Sequence, residues 1–189
     1  MIITEKYRNL FEETVYEKIE IITKRLLLKP LCSEYLQTVK AYAMDSENTS
    51  YMVHLPNESI GETVSFLKRV EAEWEKEKPE FYEFAILYQN EHMGAVSIYF
   101  ENGIGELGWI INKKYQGKGF AYEAANSLVK YFTANFGTTH FIAHCDTENT
   151  ASHKTMEKLG MIRIGEYGGR RNRCASHDSF EYKYELILS

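Results

Sequence analysis

The sequence lacks any long hydrophobic run: none of its 189 residues belongs to a stretch approaching the roughly eighteen apolar residues that a membrane-spanning helix requires. Its opening residues include Glu5, Lys6 and Arg8, so the apolar core of a secretory signal is missing as well. These two absences predict a cytoplasmic protein that has no membrane partner.

The sequence has few cysteines, and its basic residues are fewer than its acidic residues. The three cysteines, Cys32, Cys145 and Cys174, show neither CxxC pairs nor the Cys/His spacing of ligand sets, which argues against disulfides and a zinc site. The formal net charge of −5 disfavours nucleic acid as a partner but tolerates a cationic substrate. A modest negative charge also serves solubility, so charge alone selects no substrate.

What is present fits one globular domain, with 44% hydrophobic and 26% charged residues in a length suited to a single core. Apolar residues recur at helical spacing over Thr4–Ile19, which predicts a helix in an N-terminal extension, residues 1–20. Such an extension could cover a sheet edge or contact a second subunit. The domain itself is assigned to residues 21–189.

Along this domain the hydrophobic period switches between values typical of strands and of helices. The predicted strands are Ile21–Leu31, Phe81–Tyr88, His92–Phe100, Gly105–Ile111, His140–Cys145, Ile162–Glu166 and Phe180–Leu188. The predicted helices begin at Ser33 and cover Ser59–Lys78, Ala121–Asn135 and Thr150–Leu159, with Pro79 ending the second. This order predicts an α+β or mixed α/β class with one central sheet.

One glycine-containing loop lies between the strand ending at Ile111 and the next helix: Gln116-Gly117-Lys118-Gly119-Phe120-Ala121. A helix N-terminus offers unpaired N–H groups and positive potential, and glycines let the backbone close around a phosphate. Lys118 could add a charge-assisted contact. A tight turn would use the same glycines, and the loop matches neither the triphosphatase nor the dinucleotide pattern.

A second segment, from Asn149 to Met161, contains Asn149-Thr150-Ala151-Ser152 and a helix ending in Leu159-Gly160-Met161. The two segments together resemble the GNAT N-acetyltransferases. Gln116, Gly119 and Ala121 match the Gln/Arg-x-x-Gly-x-Gly/Ala pyrophosphate signature of that family. The second segment is similar to its Asn-x-x-Ser/Ala motif and Leu-Gly-Phe ending, with Met161 replacing phenylalanine.

The opening of the domain extends the resemblance. Thr23-Lys24-Arg25-Leu26-Leu27-Leu28-Lys29-Pro30 is similar to the Thr-x-Arg-Leu-x-Leu-Arg-Pro start of the ribosomal-protein alanine N-acetyltransferase branch (RimJ/RimL-like). The likeness covers about residues 21 to 188. It implies a mostly antiparallel, twisted sheet of about six to seven strands flanked by helices, with the pyrophosphate loop after the fourth strand.

The resemblance implies acetyl-CoA as co-substrate and an amine acceptor, either a protein N-terminus or a small molecule. A homodimer is compatible with it, and no metal is expected. The implied cofactor-binding residues are Ile110, Ile111, Gln116, Gly117, Lys118, Gly119, Phe120, Ala121, Asn149 and Ser152. A noncatalytic acyl-CoA-binding module would keep the same loop and Asn149, so it stays the alternative.

For catalysis, the resemblance favours Glu106 as general base, because GNAT enzymes often carry a catalytic carboxylate on this strand. His144 is the rival, since this branch can carry a glutamate base at its position and a neutral imidazole suits proton transfer. Met156 stands where many relatives have a tyrosine acid and has no proton to donate. Ser152 therefore becomes the candidate partner of the departing thiolate, although Thr150 or Ser152 could instead serve as a helix cap.

Overall fold

Eight strands and four helices make up the part of the chain that the computed structural model describes, residues 19–188. The strands are β1 (Ile21–Ile22), β2 (Leu26–Pro30), β3 (Phe81–Tyr88), β4 (Glu91–Glu101), β5 (Ile104–Ile111), β6 (His140–Asp146), β7 (Ile162–Arg170) and β8 (Ser179–Ile187). The helices are α1 (Leu36–Ala43), α2 (Ile60–Trp74), α3 (Phe120–Phe136) and α4 (Thr150–Lys158). The predicted leading helix falls almost wholly outside the described residues.

All strands belong to one sheet with the order β1-β2-β3-β4-β5-β6-β8-β7. Every neighbouring pair is antiparallel except β5 and β6, which run parallel. A parallel neighbour needs a crossover, and α3 supplies it between these two strands. The predicted α+β class and mostly antiparallel sheet are confirmed, but the strand count is eight rather than six to seven.

The continuous strand predicted for residues 21–31 is wrong, because the chain turns back at Thr23. The Thr23 N–H donates to the Leu26 carbonyl at 2.9 Å, and the Leu26 N–H donates to the Thr23 hydroxyl at 2.8 Å. Ile21 then pairs with Leu28 across an antiparallel ladder. A threonine hydroxyl that satisfies backbone groups locally competes with an extended strand, which explains the break.

Two predicted boundaries are displaced by four residues each. Helix α2 ends at Trp74 rather than at Lys78, because the Trp74 indole N–H donates to the Glu83 carbonyl at 3.2 Å and fixes the helix end against β3. Strand β7, predicted to end at Glu166, continues to Arg170, which pairs with Ser179 of β8. Both contacts join two neighbouring elements, so the hydrophobic period within one element does not define them.

The two faces of the sheet carry different chemistry. On one face, Phe132 of α3 packs against Tyr82 and Phe100, with ring centroids 5.0 and 5.4 Å apart. Side chains alternate along a strand, so Tyr99 and its cross-strand partner Glu106 lie on the other face. No helix among the described residues is long and apolar enough to cross a membrane.

Candidate active site

The parallel strands β5 and β6 stay paired over only a short stretch. Gly105 pairs with Phe141 and Glu106 with Ile142, and no further pair joins these strands of eight and seven residues. Beyond Glu106 the sheet is therefore split toward the carboxyl ends of both strands. Such a split leaves one row of β5 backbone groups available for an extended ligand that adds to the sheet edge.

The backbone groups of Ile110 and Ile111, both predicted to contact the cofactor, point in opposite directions. A Cβ built on Gly94 of β4 would lie 2.2 Å from the Ile110 carbonyl oxygen, so the Ile110 carbonyl points toward β4. Backbone groups of successive residues alternate in direction, and those of Ile111 therefore face the split. The Ile111 carbonyl accepts a hydrogen bond from the Gln116 Nε2 at 2.9 Å, whereas the Ile111 N–H is directed into the split.

The glycine loop ends at the first turn of α3, which begins at Phe120. Gly117 and Gly119 have φ angles of +76° and +75°, a region that side-chain-bearing residues rarely adopt. A Cβ on Gly117 would meet nothing within 4 Å, so the surface there is open. The N-termini of α2 and α4 carry side-chain caps, but that of α3 has none. Its first N–H groups therefore remain for an anion.

The side chains of this loop contribute unequally. Phe120 is only 3% exposed and anchors the start of α3 in the core, where its ring lies 4.8 Å from that of Tyr88. Lys118 is exposed, with its ammonium 5.7 Å from the ring centroid of Tyr115. Gln116 holds the loop to the end of β5 through its amide rather than pointing freely outward. A bound anion would therefore meet backbone N–H groups, with the exposed Lys118 ammonium beside them.

Sequence reasoning assigned no role to Arg25, although the Thr23-x-Arg25-Leu26 motif contained it. Its guanidinium donates to the Glu123 carboxylate of α3 at 2.6 Å and to the Lys118 carbonyl at 3.0 Å. These partners lie 98 and 93 residues away in sequence. The motif was the only available signal, and it does not say which distant groups the arginine meets.

Glu106 and His144, considered above as rival bases, lie together on the sheet face opposite α3. His144 Nδ1 is 2.9 Å from Glu106 Oε1, and their side chains are 24% and 48% exposed. An ionised carboxylate can only accept a hydrogen bond, so beside it Nδ1 carries the hydrogen and Nε2 is the acceptor of a neutral imidazole. The arrangement can orient a base toward the split between β5 and β6.

The start of α4 lies just beyond the end of β6. Asn149 is the N-cap, and its Oδ1 accepts a hydrogen bond from the Ser152 N–H at 3.1 Å. The cap is therefore Asn149, and the expectation that Thr150 or Ser152 could fill this role is corrected. None of the hydrogen bonds found within residues 19–188 uses the Ser152 hydroxyl, while Met156 is 1% exposed in the core.

Glu83 is a titratable group that the sequence pattern did not single out. It lies on the same sheet face as Glu106 and is 8% exposed. Burial raises its pKa to about 8, because the nearby Tyr99 and Ser97 hydroxyls and the Arg69 charge offset only part of the desolvation. Near neutral pH this carboxyl group is therefore largely protonated and adds little charge to the face.

The connection between α1 and α2 crosses the open end of the split. At its start, Asp45 and Glu47 hold the Lys113 ammonium at 2.8 and 2.6 Å, just after β5 ends. Further along, the Tyr51 carbonyl accepts a hydrogen bond from Arg170, the last residue of β7, at 2.9 Å. The connection therefore limits access to this end of the split.

Metal chemistry has no evident donor set here: within the described part of the chain, no group of three or more His, Cys, Asp and Glu side chains is arranged to hold an ion.

Comparison with known proteins gives a consistent picture. A family model described as an acetyltransferase (GNAT) domain matches residues 25–162. The chain is 32% identical over 152 residues to YnaD of Bacillus subtilis (strain 168), an uncharacterized N-acetyltransferase; the alignment covers 78% of this chain and 85% of YnaD.

Among solved structures, a GNAT-family acetyltransferase from Bacillus anthracis has a TM-score of 0.75 and 28% identity, covering 89% of this chain and 98% of its own. RimL, a ribosomal L7/L12 α-N-protein acetyltransferase in complex with coenzyme A, has a TM-score of 0.80 and 16% identity. That comparison covers 90% of this chain and 98% of RimL, and it shows a shared fold.

Proposed function

The chain belongs to the GNAT family of N-acetyltransferases, and from this premise we propose that it transfers the acetyl group of acetyl-CoA to a primary amine within a ternary complex. The acceptor is a protein N-terminus or a small molecule. The observation that carries the proposal is the hydrogen-bonded pair of Glu106 and His144 at the β5–β6 split. Family membership also favours catalysis over the noncatalytic acyl-CoA-binding alternative.

The open glycine loop fits the pyrophosphate of acetyl-CoA. The N–H groups from Gly117 to Ala121 would hold the phosphates, because this helix start has no side-chain cap and its glycines leave space. The pantetheine arm would lie along the split, bonded to the Ile111 N–H and to Asn149. Since Asn149 Oδ1 serves the cap, its Nδ2 is the atom left to donate.

Proton transfer is assigned to the Glu106–His144 pair. Acetyl-CoA supplies the acetyl group as a thioester, and the amine must lose a proton to accept it. His144 Nε2 would take this proton, while Glu106 holds the imidazole by Nδ1 and stabilises its charged form. This assignment turns the two rival candidates into base and orienting group.

Ser152 is proposed to donate a hydrogen bond to the departing thiolate, since Met156 cannot supply a proton. Ser152→Ala should lower kcat roughly ten- to a thousandfold, the range for one transition-state donor, with little change in the KM for acetyl-CoA. The melting temperature should hold, because Asn149 supplies the cap. Thr155→Ala is the matched control, since its hydroxyl bonds the Ala151 carbonyl on the same helix; normal turnover in Ser152→Ala would refute the assignment.

The acceptor class is tested by a screen that follows release of free thiol from acetyl-CoA. The panel contains peptides with free N-termini, amino acids, polyamines and aminoglycosides, each paired with its N-acetylated form as a control. At least one free amine should accelerate thiol release far above the control, because only a free amine can accept the acetyl group. Coenzyme A binding without acceptor-dependent release across the panel would contradict the proposal.

The protein N-terminus is supported by the fold shared with RimL, whose name describes such an acceptor. The predicted cytoplasmic location and homodimer stay predictions.

A further inference from the structure

Arg25 makes four different contacts at the start of α3. Its Nε donates to Glu123 Oε2 at 2.6 Å, and its backbone N–H donates to Glu123 Oε1 at 2.8 Å. Its NH1 donates to the Lys118 carbonyl at 3.0 Å, and its guanidinium carbon lies 4.5 Å from the ring centroid of Phe120. One residue of the β1–β2 turn thus holds the glycine loop and the first turn of α3 together.

Glu123 is an unexpected neighbour for a phosphate site. It lies in the first turn of α3, close to the N–H groups proposed to bind pyrophosphate, and its side chain is only 16% exposed. A carboxylate there stabilises the helix through the macrodipole but repels a bound anion. Because the group is poorly exposed, solvent and salt screen that repulsion only in part.

The hydrogen bonds around Glu123 also keep its carboxylate ionised. Burial by itself would raise its pKa, but the hydrogen bonds from Thr23 and Arg25 outweigh burial and lower it. The negative charge therefore persists across the neutral range, and protonation does not remove it. Arg25 is the cation in contact with this charge.

We propose that Arg25 is a positioning residue of the coenzyme site, which neutralises Glu123 and fixes the Lys118 carbonyl so that the glycine loop accepts pyrophosphate. The inference rests on the proposed function, since it assumes that the loop binds acetyl-CoA. It adds a requirement that the loop itself does not reveal: the helix start binds an anion only while its own carboxylate is paired.

The planar geometry of the Arg25 guanidinium contributes to coenzyme A binding as well as its charge. Nε and NH1 reach two partners in different directions while the flat group stacks on Phe120. A lysine ammonium could neutralise Glu123 but would not hold the same planar, two-directional geometry. Arg25→Lys should therefore bind coenzyme A more weakly than the parent by up to about tenfold, and less weakly than Arg25→Ala.

The experiment measures coenzyme A affinity by titration calorimetry, with the melting temperature recorded for each variant. Arg25→Ala should weaken binding on the order of 30- to 300-fold, because it exposes the site to an unpaired carboxylate. Adding Glu123→Ala to that variant should restore affinity to within about tenfold of the parent. The loss in Arg25→Ala should shrink at 0.5 M salt, since the repulsion is electrostatic.

Two further variants distinguish an effect of the Glu123 charge on coenzyme A binding from a general loss of stability. Glu123→Gln should bind coenzyme A at least as tightly as the parent even if its melting temperature falls, an outcome that a purely structural role does not produce. Arg163→Ala is the matched control, because this guanidinium also lies over an aromatic ring, 4.4 Å from Tyr182, but on β7. In steady-state kinetics, the effect of Arg25→Ala should fall on the KM for acetyl-CoA rather than on kcat.

The outcomes separate this inference from the proposed function. If the parent protein fails to bind coenzyme A, the proposed function fails and the role of Arg25 fails with it. If the parent binds but Arg25→Ala binds equally well, only the inference is overturned. It is also overturned if Glu123→Gln binds more weakly than the parent, or if the double variant binds no better than Arg25→Ala.

Discussion

Replacing Gly119 by glutamate is expected to abolish acetyl-CoA binding, with an affinity loss of more than about a hundredfold. The added carboxylate would stand where the proposed pyrophosphate approaches the helix start, and its charge would repel the phosphates. A Cβ at this position lies 3.8 Å from the nearest guanidinium nitrogen of Arg25, so the new carboxylate would also compete with Glu123 for that cation. Titration calorimetry with coenzyme A measures the loss.

Gly137 provides the matched control at the opposite end of the same helix. It caps the C-terminus of α3 with a φ of +69°, and a Cβ there meets nothing within 4 Å. Gly137→Glu therefore brings comparable backbone strain and the same charge, but far from the proposed phosphates. It should lower the melting temperature and leave coenzyme A affinity unchanged. Parental affinity in Gly119→Glu would mean that the pyrophosphate site lies elsewhere.

Removing either member of the Glu106–His144 pair is expected to lower kcat by a factor on the order of 10² to 10⁴, the usual contribution of general base catalysis. The variants are Glu106→Gln and His144→Ala, assayed at saturating acetyl-CoA with the best acceptor from the screen. Because the two groups share a hydrogen bond, the double variant should lose little more than the more severe single variant. Coenzyme A affinity should stay unchanged in all three.

The pair also predicts a pH profile. Turnover should fall toward acid pH, because a general base works only while it is unprotonated. The pH–rate profiles of Glu106→Gln and His144→Ala are compared with that of the parent. Near-parental kcat in both single variants would reject the pair and leave proton loss to solvent. A large loss in His144→Ala alone would identify the imidazole as the base and reduce Glu106 to a minor orienting role.

Glu83→Gln serves as the control for these variants, since it makes the same carboxyl-to-amide change on the same sheet face. Its kcat should match that of the parent. Its stability should differ with pH, because burial raises the pKa of the folded carboxyl from 4.5 to about 8. The folded state then retains a proton that the unfolded chain releases, so parental stability falls as pH rises through this window, by roughly 5 kcal/mol at most. The stability of Glu83→Gln should not fall in this way, because the glutamine amide does not ionise.

Much of the fold followed from local sequence signals. The apolar, aromatic-rich run Phe81–Tyr88 and the helical period after the glycine loop each arise within one element, and the strand and helix there were confirmed. Errors occurred where a contact between neighbouring elements decides the boundary, as with Trp74 of α2, which bonds Glu83 of β3, and Arg170, which pairs with Ser179 of β8. The turn at Thr23 was missed because its hydroxyl satisfies the backbone locally.

The candidate site also combines features that local sequence predicts with contacts that it does not predict. Glycines 117 and 119 and the cap residue Asn149 are short-range features, because positive φ and helix capping depend on a few neighbouring residues. Sequence alone therefore located the loop and the second helix start. It also suggested both Glu106 and His144, but only as alternatives, since nothing local indicates that they touch.

By itself, the sequence determined the order of elements, the family resemblance and the glycine loop that opens α3. Only the tertiary structure decided that Glu106 meets His144, 38 residues away, and that Arg25 meets Glu123, 98 residues away. The physical reason is that parallel register and strand order are set by packing of the whole sheet. A contact across β5 and β6, or between the β1–β2 turn and α3, exists only once that packing is complete.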